Sequence, residues 1–538
     1  MSTTAQSART GTAARVGMPT IARGGALNLV GAGITAVTGV LLTVVVTRTL
    51  PKSDAGVFFA LTSVFLLAEM VARLGTGTGL VYFIARTRSL GRPDRIRAFQ
   101  RVALTPVVVL SLVTAAVLII WAPAWARLVG GPGGATRTAV VVLALLLPVT
   151  TLSDTLLAAT RGHATMLPTV ALDRIGRPLL QLGLVAAVVT GGSISLLAGA
   201  WALPWALSAV LGGWWLVRLG HRLHRPGTPV DDEAAASAEV APWREFWTFT
   251  GPRAINSLAQ LALQRLDIVL VTMLSGPASA AVYTAATRFL VVGQLSATAI
   301  STAAQPRLAE LLAVGDRPAA KAVYQNATAW IVLLNWPLYL LCGVFADVVL
   351  AIFGHGYSAG RPVVLILAAA MLFATACGMV DMLLNMAGRT AWTLANSVLS
   401  LVVMVGVDLL LIPHLGILGA GIGWAASIVA NNALPLTQLF VSMGLHPFGH
   451  ATRNAAAVAA FCFGVLPVGA LLLAPGNILV AAITVLVGAG LFATACLRLR
   501  ATLGLPALSA LVPRGRRRPT VPADPSPADD RHPSGGTR

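Results

Sequence analysis

The chain has 538 residues, of which 56% are hydrophobic and 11% charged, about half the charged fraction of an ordinary soluble domain. That excludes a soluble globular protein, and the formal net charge of +19 has to be read by position rather than by sum. Apolar runs of about 20 residues, long enough to cross a hydrocarbon core, recur along nearly the whole length and predict an all-α integral membrane protein.

Residues 1–25 are polar and basic, without the short apolar core and cleavage site of a secretory leader, and read as a cytoplasmic tail. Fourteen transmembrane helices follow, at 26–47, 57–85, 102–122, 138–160, 179–190, 196–217, 254–274, 282–304, 326–346, 362–385, 393–413, 419–443, 455–474 and 478–497. The fifth is short as cut and is expected to begin inside the Asp173–Pro178 segment. Residues 218–253 read as a cytoplasmic linker, and 498–538, rich in Pro, Gly and charge, as a disordered basic tail. All four cysteines, Cys342, Cys377, Cys462 and Cys496, fall inside predicted helices without metal-like spacing.

Of 38 Lys and Arg, 30 lie in the two tails and in the loops after even-numbered helices, 5 on the other side, and 3 within spans. Positive loops stay in the cytoplasm, so both termini are expected there, in the cytoplasmic membrane. The densest loop, 86–101, has six Arg and a single aromatic, Phe99, rather than a series of stacking residues between its charges, so it reads as a lipid-facing loop rather than a nucleic-acid site.

A shift of 225 residues brings VVVTRTLPKSDAGVFFA (44–60) over VLVTMLSGPASAAVYTA (269–285) and GRPDRIRAFQ (91–100) over DRPAAKAVYQ (316–325). Both copies start on the same side, so the repeat predicts two parallel six-helix lobes, helices 1–6 (26–217) and 7–12 (254–443), plus two extra C-terminal helices (455–497). Twin lobes with a substrate between them are the architecture of transporters that work by alternating access.

Charges inside such spans are costly and mark function or pairing. On helix 7, Arg253, Asn256, Gln260, Gln264 and Asp267 follow spacings of 3 and 4 and so share one face. That stripe reads as the wall of a hydrated cavity, with a hydrogen-bonded seam as the alternative. Arg265 points elsewhere, about 200° round from Asp267, and is assigned to lobe support. Asp267 and Arg288 are at matching depth on helices 7 and 8 and could pair. Glu69 and Arg73 are four apart on helix 2, acid first, the favourable order for a same-face pair. Asp154 and Asp381 occupy equivalent places in the two repeats, which suggests gate residues bonding to Arg161, Arg389 or helix ends; an interfacial carboxylate reaching water is the alternative. Asp408, near the end of helix 11, can snorkel. There is no Walker loop and no catalytic constellation, so the reading is a non-enzyme without a cofactor.

RTLPKSDAGVFFAL, RLGTGTGLVYFIAR (73–86), LDIVLVTMLSGPASAAVYTAATRF, IFGHGYSAGRPVVLILA (352–368) and LIPHLGILGAGIGWA (411–425) together resemble the Wzx-type polysaccharide flippases of the multidrug/oligosaccharidyl-lipid/polysaccharide exporter superfamily. The resemblance covers residues 24–445. Asp267, Tyr283 and Arg288 fall on that family's recurrent Asp, Tyr and Arg positions, while Ala281 stands where the family usually has Gly. It implies translocation of an undecaprenyl-pyrophosphate-linked oligosaccharide across the cytoplasmic membrane for surface polysaccharide biosynthesis. The implied partners are that lipid-linked oligosaccharide, membrane lipids and, as candidates, glycan-assembly enzymes; no nucleic acid is expected. Arg73 and Arg288 would hold the pyrophosphate, since a planar guanidinium donates two parallel bonds to phosphate. Asn256, Gln260 and Gln264 would face the sugars, Glu69 and Asp267 would poise the arginines or couple transport to an ion, and Asp154 and Asp381 would gate. The alternative is a cation-coupled multidrug exporter, against which helix 1 lacks a carboxylate.

Overall fold

The computed structural model describes residues 18–90, 94–131, 133–223, 240–475 and 477–503. Most of the two tails (1–25 and 498–538) and the middle of the 218–253 linker lie outside them. The described chain is helical throughout, without a strand. The helices are α1 (Met18–Thr49), α2 (Lys52–Arg73 and Thr76–Ser89), α3 (Asp94–Ile120), α4 (Gly134–Gly162), α5 (Thr169–Gly176 and Arg177–Val188) and α6 (Ile194–Ala202 and Pro204–Leu223). They continue with α7 (Val240–Ser275), α8 (Pro277–Ala286 and Arg288–Ala313), α9 (Arg317–Val344), α10 (Arg361–Cys377 and Val380–Met386), α11 (Thr390–Leu415) and α12 (Ile417–Met443). Last come α13 (His450–Ala460, then Phe461–Val465 and Leu466–Leu473) and α14 (Ile478–Arg498). Twelve of these are long and apolar enough to cross a membrane. The other two, α5 and α8, carry polar interruptions: a π turn holding Asp173 and Arg174, and a break at Thr287 just before Arg288.

The repeat appears as packing. In the first lobe α1 lies on α5, α2 on α4, and α4 against α3 and α6; in the second, α7 lies on α11, α8 on α10, and α10 against α9 and α12. The protein is thus a two-lobed, multi-pass membrane protein, with α13 and α14 added beside α9. An aromatic cluster fills the first lobe, where Phe58 and Phe65 meet Trp201 and Trp205 edge to face, the arrangement that ring quadrupoles favour.

Several helices start before the predicted limits, among them α1 at Met18 rather than 26 and α9 at Arg317 rather than 326. α7 starts at Val240, fourteen residues before the predicted 254, because its first turns are aromatic rather than aliphatic and pack on α2. There Tyr82 stacks on Phe249 at 4.3 Å, and Arg86 pairs with Glu245 at 2.7 Å. Most of the arginine-rich 86–101 stretch is likewise helical, as the end of α2 and the start of α3.

Call the face where α1 begins and α14 ends the terminal face, and the other the distal face. α2 bridges the lobes from one to the other, touching α7 and the first segment of α8. Glycines make this possible. A Cβ on Gly56 would overlap the Pro277 carbonyl, and one on Gly75 would come within 2.6 Å of Ala254 Cα. Gly56→Ala should therefore cost about 1–3 kcal/mol as overpacking, read as a lower melting temperature of the purified protein. The distal face has a further tie: Arg48 donates from Nε to the Ile352 carbonyl (2.7 Å), and Lys52 from Nζ to Gly356 O (3.0 Å). These exposed bonds hold position more than they stabilise. The double variant Arg48→Ala/Lys52→Ala should speed amide hydrogen exchange at 351–356 while leaving the melting temperature nearly unchanged.

Candidate functional site

The Lys52–Arg73 segment of α2 ends because Leu74 (φ 52°) and Gly75 (φ 63°) are both left-handed. Gly75 accepts this conformation without strain, whereas Leu74 does not. The break leaves Arg73 in the last helical turn, next to α4 and α5. Its Nη1 meets Asp154 Oδ2 at 2.7 Å, and its Nε lies 3.5 Å from Glu69 Oε1. The predicted Glu69–Arg73 pair is present, and Asp154 joins it rather than bonding to Arg161.

α5 adds residues to which the sequence reading gave no role, from the Asp173–Pro178 segment where its start was expected; the helix begins earlier, at Thr169. Arg177 binds Asp173 Oδ1 through Nε and Nη2 (2.9 and 2.7 Å), approaches Gln181 Oε1 (3.3 Å) and lies 4.5 Å from the centre of the Trp205 ring. Gln181 is buried and anchors on the Trp201 carbonyl at 2.8 Å. Arg174 sits 3.8 Å from Asp173 and backs onto Gly31 of α1. Arg161 makes no ion pair among the described residues. Two ion-paired groups result, Arg73 with Glu69 and Asp154, and Arg174 and Arg177 with Asp173. The missed signal was the Asp173/Arg177 spacing of four. A π turn, common at functional sites, shifts the helical period there and hid the continuity of α5.

The second lobe departs further from expectation. Asp267 is 1% exposed, and it accepts from Tyr283 Oη at 2.7 Å and from the Ile268 amide. It does not pair with Arg288, whose Nε donates instead to the Thr284 carbonyl at 3.1 Å; the tyrosine, one helical turn nearer the distal end of α8, reaches the carboxylate first. Asp408 is fully buried rather than snorkelling, with neither carboxylate oxygen hydrogen-bonded among the described residues, and Gly423 packs directly on it. On the α7 stripe, Gln260 donates to Ser397 of α11 at 2.9 Å, so there the face is a seam between helices. Asn256 is half-buried with an unpartnered Oδ1, Gln264 is exposed, and Arg253 lies over the Phe249 ring at 3.8 Å. Asp381 accepts from Asn431 at 3.4 Å, not from Arg389, which stacks on Trp392. Tyrosine, asparagine and tryptophan replace the expected ionic partners because an amide, a phenol or a ring satisfies a buried charge without burying a second one.

The structure therefore groups Glu69, Arg73 and Asp154 in one cluster, and places Asp267 and Arg288 in another, with Asp381 apart. Among the described residues no group of three or more His, Cys, Asp or Glu could hold a metal ion.

A profile of the family described as "Polysaccharide biosynthesis protein" matches residues 21–312, and the MatE family profile matches 252–410. The search of curated proteins found no match. Among solved structures, the chain is similar to the lipid II flippase MurJ in an inward closed conformation (TM-score 0.69, 10% identity, covering 88% of this chain and 99% of that one). It is also similar to an inward-facing multidrug resistance MATE family transporter of the MOP superfamily (0.58, 14%, 80% and 96%). A MOP superfamily transporter from Pyrococcus furiosus matches at 0.51 and 15% identity, over 82% and 96%. At these identities the likeness is one of fold, the two-lobed fold of flippases and transporters.

Proposed function

Because the chain belongs to the polysaccharide biosynthesis protein family, we propose that it carries a polyprenyl-pyrophosphate-linked oligosaccharide across the cytoplasmic membrane by alternating access. The terminal face is then cytoplasmic and the distal face outward. The observation that carries the reading is an arginine surplus on the first lobe's helices: Arg73, Arg174 and Arg177 are paired with Glu69, Asp154 and Asp173, and Arg161 of α4 is added to them without an ion pair among the described residues. A charge at that depth costs about 2.5 kcal/mol or more, and an excess of one sign is sustained most simply by a substrate of the other.

In this reading Arg73 takes the pyrophosphate when it leaves Asp154. Glu69 and Asp154 hold its guanidinium in place before the substrate arrives, and give it up to a doubly charged ligand. Asn256 and Gln264 meet the sugars; Gln260, committed to Ser397, shapes the wall. Asp267 is the candidate coupling residue, as it is the buried carboxylate nearest Arg288 that a proton or cation could neutralise. Asp154 and Asp381 remain the proposed gate pair. The protein performs no bond chemistry and works beside the enzymes that build and polymerise the glycan. A cation-coupled multidrug exporter is the second reading, favoured by the MatE profile match over 252–410.

Deleting the gene should make lipid-linked glycan accumulate on the cytoplasmic leaflet while surface glycan disappears. Normal surface glycan with altered efflux of cationic dyes would establish the exporter instead.

A further inference from the structure

The long second segment of α8 has three different sides. Ala304, Leu308 and Leu311 form the buried one, packed against α9 and α10. Gln294, Thr298 and Thr302 are exposed, Ser301 and Gln305 half-buried, and helical geometry puts these five on one arc about 100° wide. Val292, Leu295, Ala299, Ala303 and Pro306 hold the arc beside it. The protein leaves the polar arc largely unsatisfied. Thr298 and Thr302 donate their hydroxyls to the carbonyls of Gln294 and Thr298, each at 2.7 Å, which keeps their oxygens free to accept. Gln305 donates only to Met386 Sδ at 3.8 Å, and the Gln294 side-chain amide has no hydrogen-bond partner among the described residues. An unpaired amide against acyl chains is costly, so this arc faces water or a polar ligand and the apolar arc faces lipid.

The 225-residue shift lays Gln294 and Thr298 over Glu69 and Arg73. The ionic face of α2 thus has a neutral counterpart on the other lobe. Contacts agree on its depth. Gly75 lies against Ala254 and Gly79 against Thr250, which sets Arg73 level with Asn256 on the antiparallel α7. Asn256 lies eleven residues before Asp267, and Gln294 eleven after Tyr283, and the Asp267–Tyr283 bond pins the α7–α8 hairpin. From that level the polar arc descends roughly 16 Å toward the terminal face. No charged or aromatic residue lies between Leu290 and Pro306.

We propose that the polar arc of α8 is the wall along which the oligosaccharide lies while Arg73 holds its diphosphate. This rests on the proposed function and deepens it, by adding sugar contacts on the second lobe. Sugar hydroxyls both donate and accept, and the arc meets them with amides that do both and with hydroxyl oxygens that accept. An organic cation would find neither a carboxylate nor an aromatic face there.

The test is thiol accessibility in the purified full chain in nanodiscs, with thermal melting as the check on folding. Thr298→Cys, Thr302→Cys, Val292→Cys and Ala299→Cys are each treated with a charged, membrane-impermeant thiosulfonate, and wild type gives the background of the native cysteines. The two threonine positions should label, and the two apolar ones should stay at background. A polyprenyl-pyrophosphate oligosaccharide at about ten times its Kd should slow labelling of both threonine positions roughly tenfold. The same lipid with a single sugar should protect Thr302→Cys, farther along the arc, much less. Equal labelling at all four positions would overturn the proposal, as would an oligosaccharide that the protein moves between leaflets but that protects neither threonine position. A protein that moves no lipid-linked glycan, and whose threonine positions a small organic cation protects, would defeat the proposed function and this wall with it.

Discussion

Arg73→Ala should abolish surface glycan while the protein remains in the membrane at near-normal level, a loss of at least a hundredfold in transport. Among the described residues Arg73 is the one guanidinium that touches both Glu69 and Asp154, so its removal takes away the proposed phosphate ligand and unbalances two carboxylates together. Arg73→Lys keeps the charge but loses the planar fork, and should recover only part of the activity. Stability separates the roles: Asp154 is partly hydrated, with its side chain 24% exposed, whereas Glu69 is only 8% exposed, so the variant Arg73→Ala/Glu69→Gln, which strands no buried charge, should melt within a few degrees of wild type. Surface glycan at wild-type level in Arg73→Ala would remove the residue from the mechanism.

Arg177→Ala is expected to act through folding instead. Arg177 closes onto Asp173 with two bonds, braces Gln181 and covers the Trp205 ring. Removing one partner of a largely buried pair strands the other, at a cost of about 3 kcal/mol. The expected result is a marked drop in melting temperature and in the amount of protein in the membrane. Asp173→Asn should be milder, since its amide oxygen can still accept from Arg177. The double variant Asp173→Asn/Arg177→Gln should be more stable than Arg177→Ala alone, because it removes both charges; equal destabilisation would mean that packing on Trp205, not the ion pair, is what Arg177 supplies.

The fold was largely legible because it rests on period and length. Apolar runs of spanning length gave the helices, and the 225-residue shift gave the twin lobes. Where aliphatic runs ended, the reading failed: the aromatic start of α7 and the π turn of α5 carry structure that a 3.6-residue apolar period does not signal. The site was legible only where partners sit on one helix. Glu69 and Arg73 could be paired by spacing, but Arg73–Asp154 spans 81 residues of sequence and Gln260–Ser397 spans 137. Such contacts depend on how the helices are placed, which local periodicity does not encode. Asp267 and Arg288 were expected at matching depth, yet it is Tyr283 that stands level with the carboxylate. Depth alone could not say which side chain reaches the carboxylate.

The central claim is that this chain moves an anionic, lipid-linked oligosaccharide. The most direct measurement reconstitutes the purified full chain in proteoliposomes with a fluorescent polyprenyl-pyrophosphate oligosaccharide and follows its headgroup between leaflets with a membrane-impermeant quencher. The expected result is protein-dependent exchange that Arg73→Ala eliminates. Headgroups that stay in their starting leaflet, in vesicles where the same protein drives a small organic cation across, would contradict it.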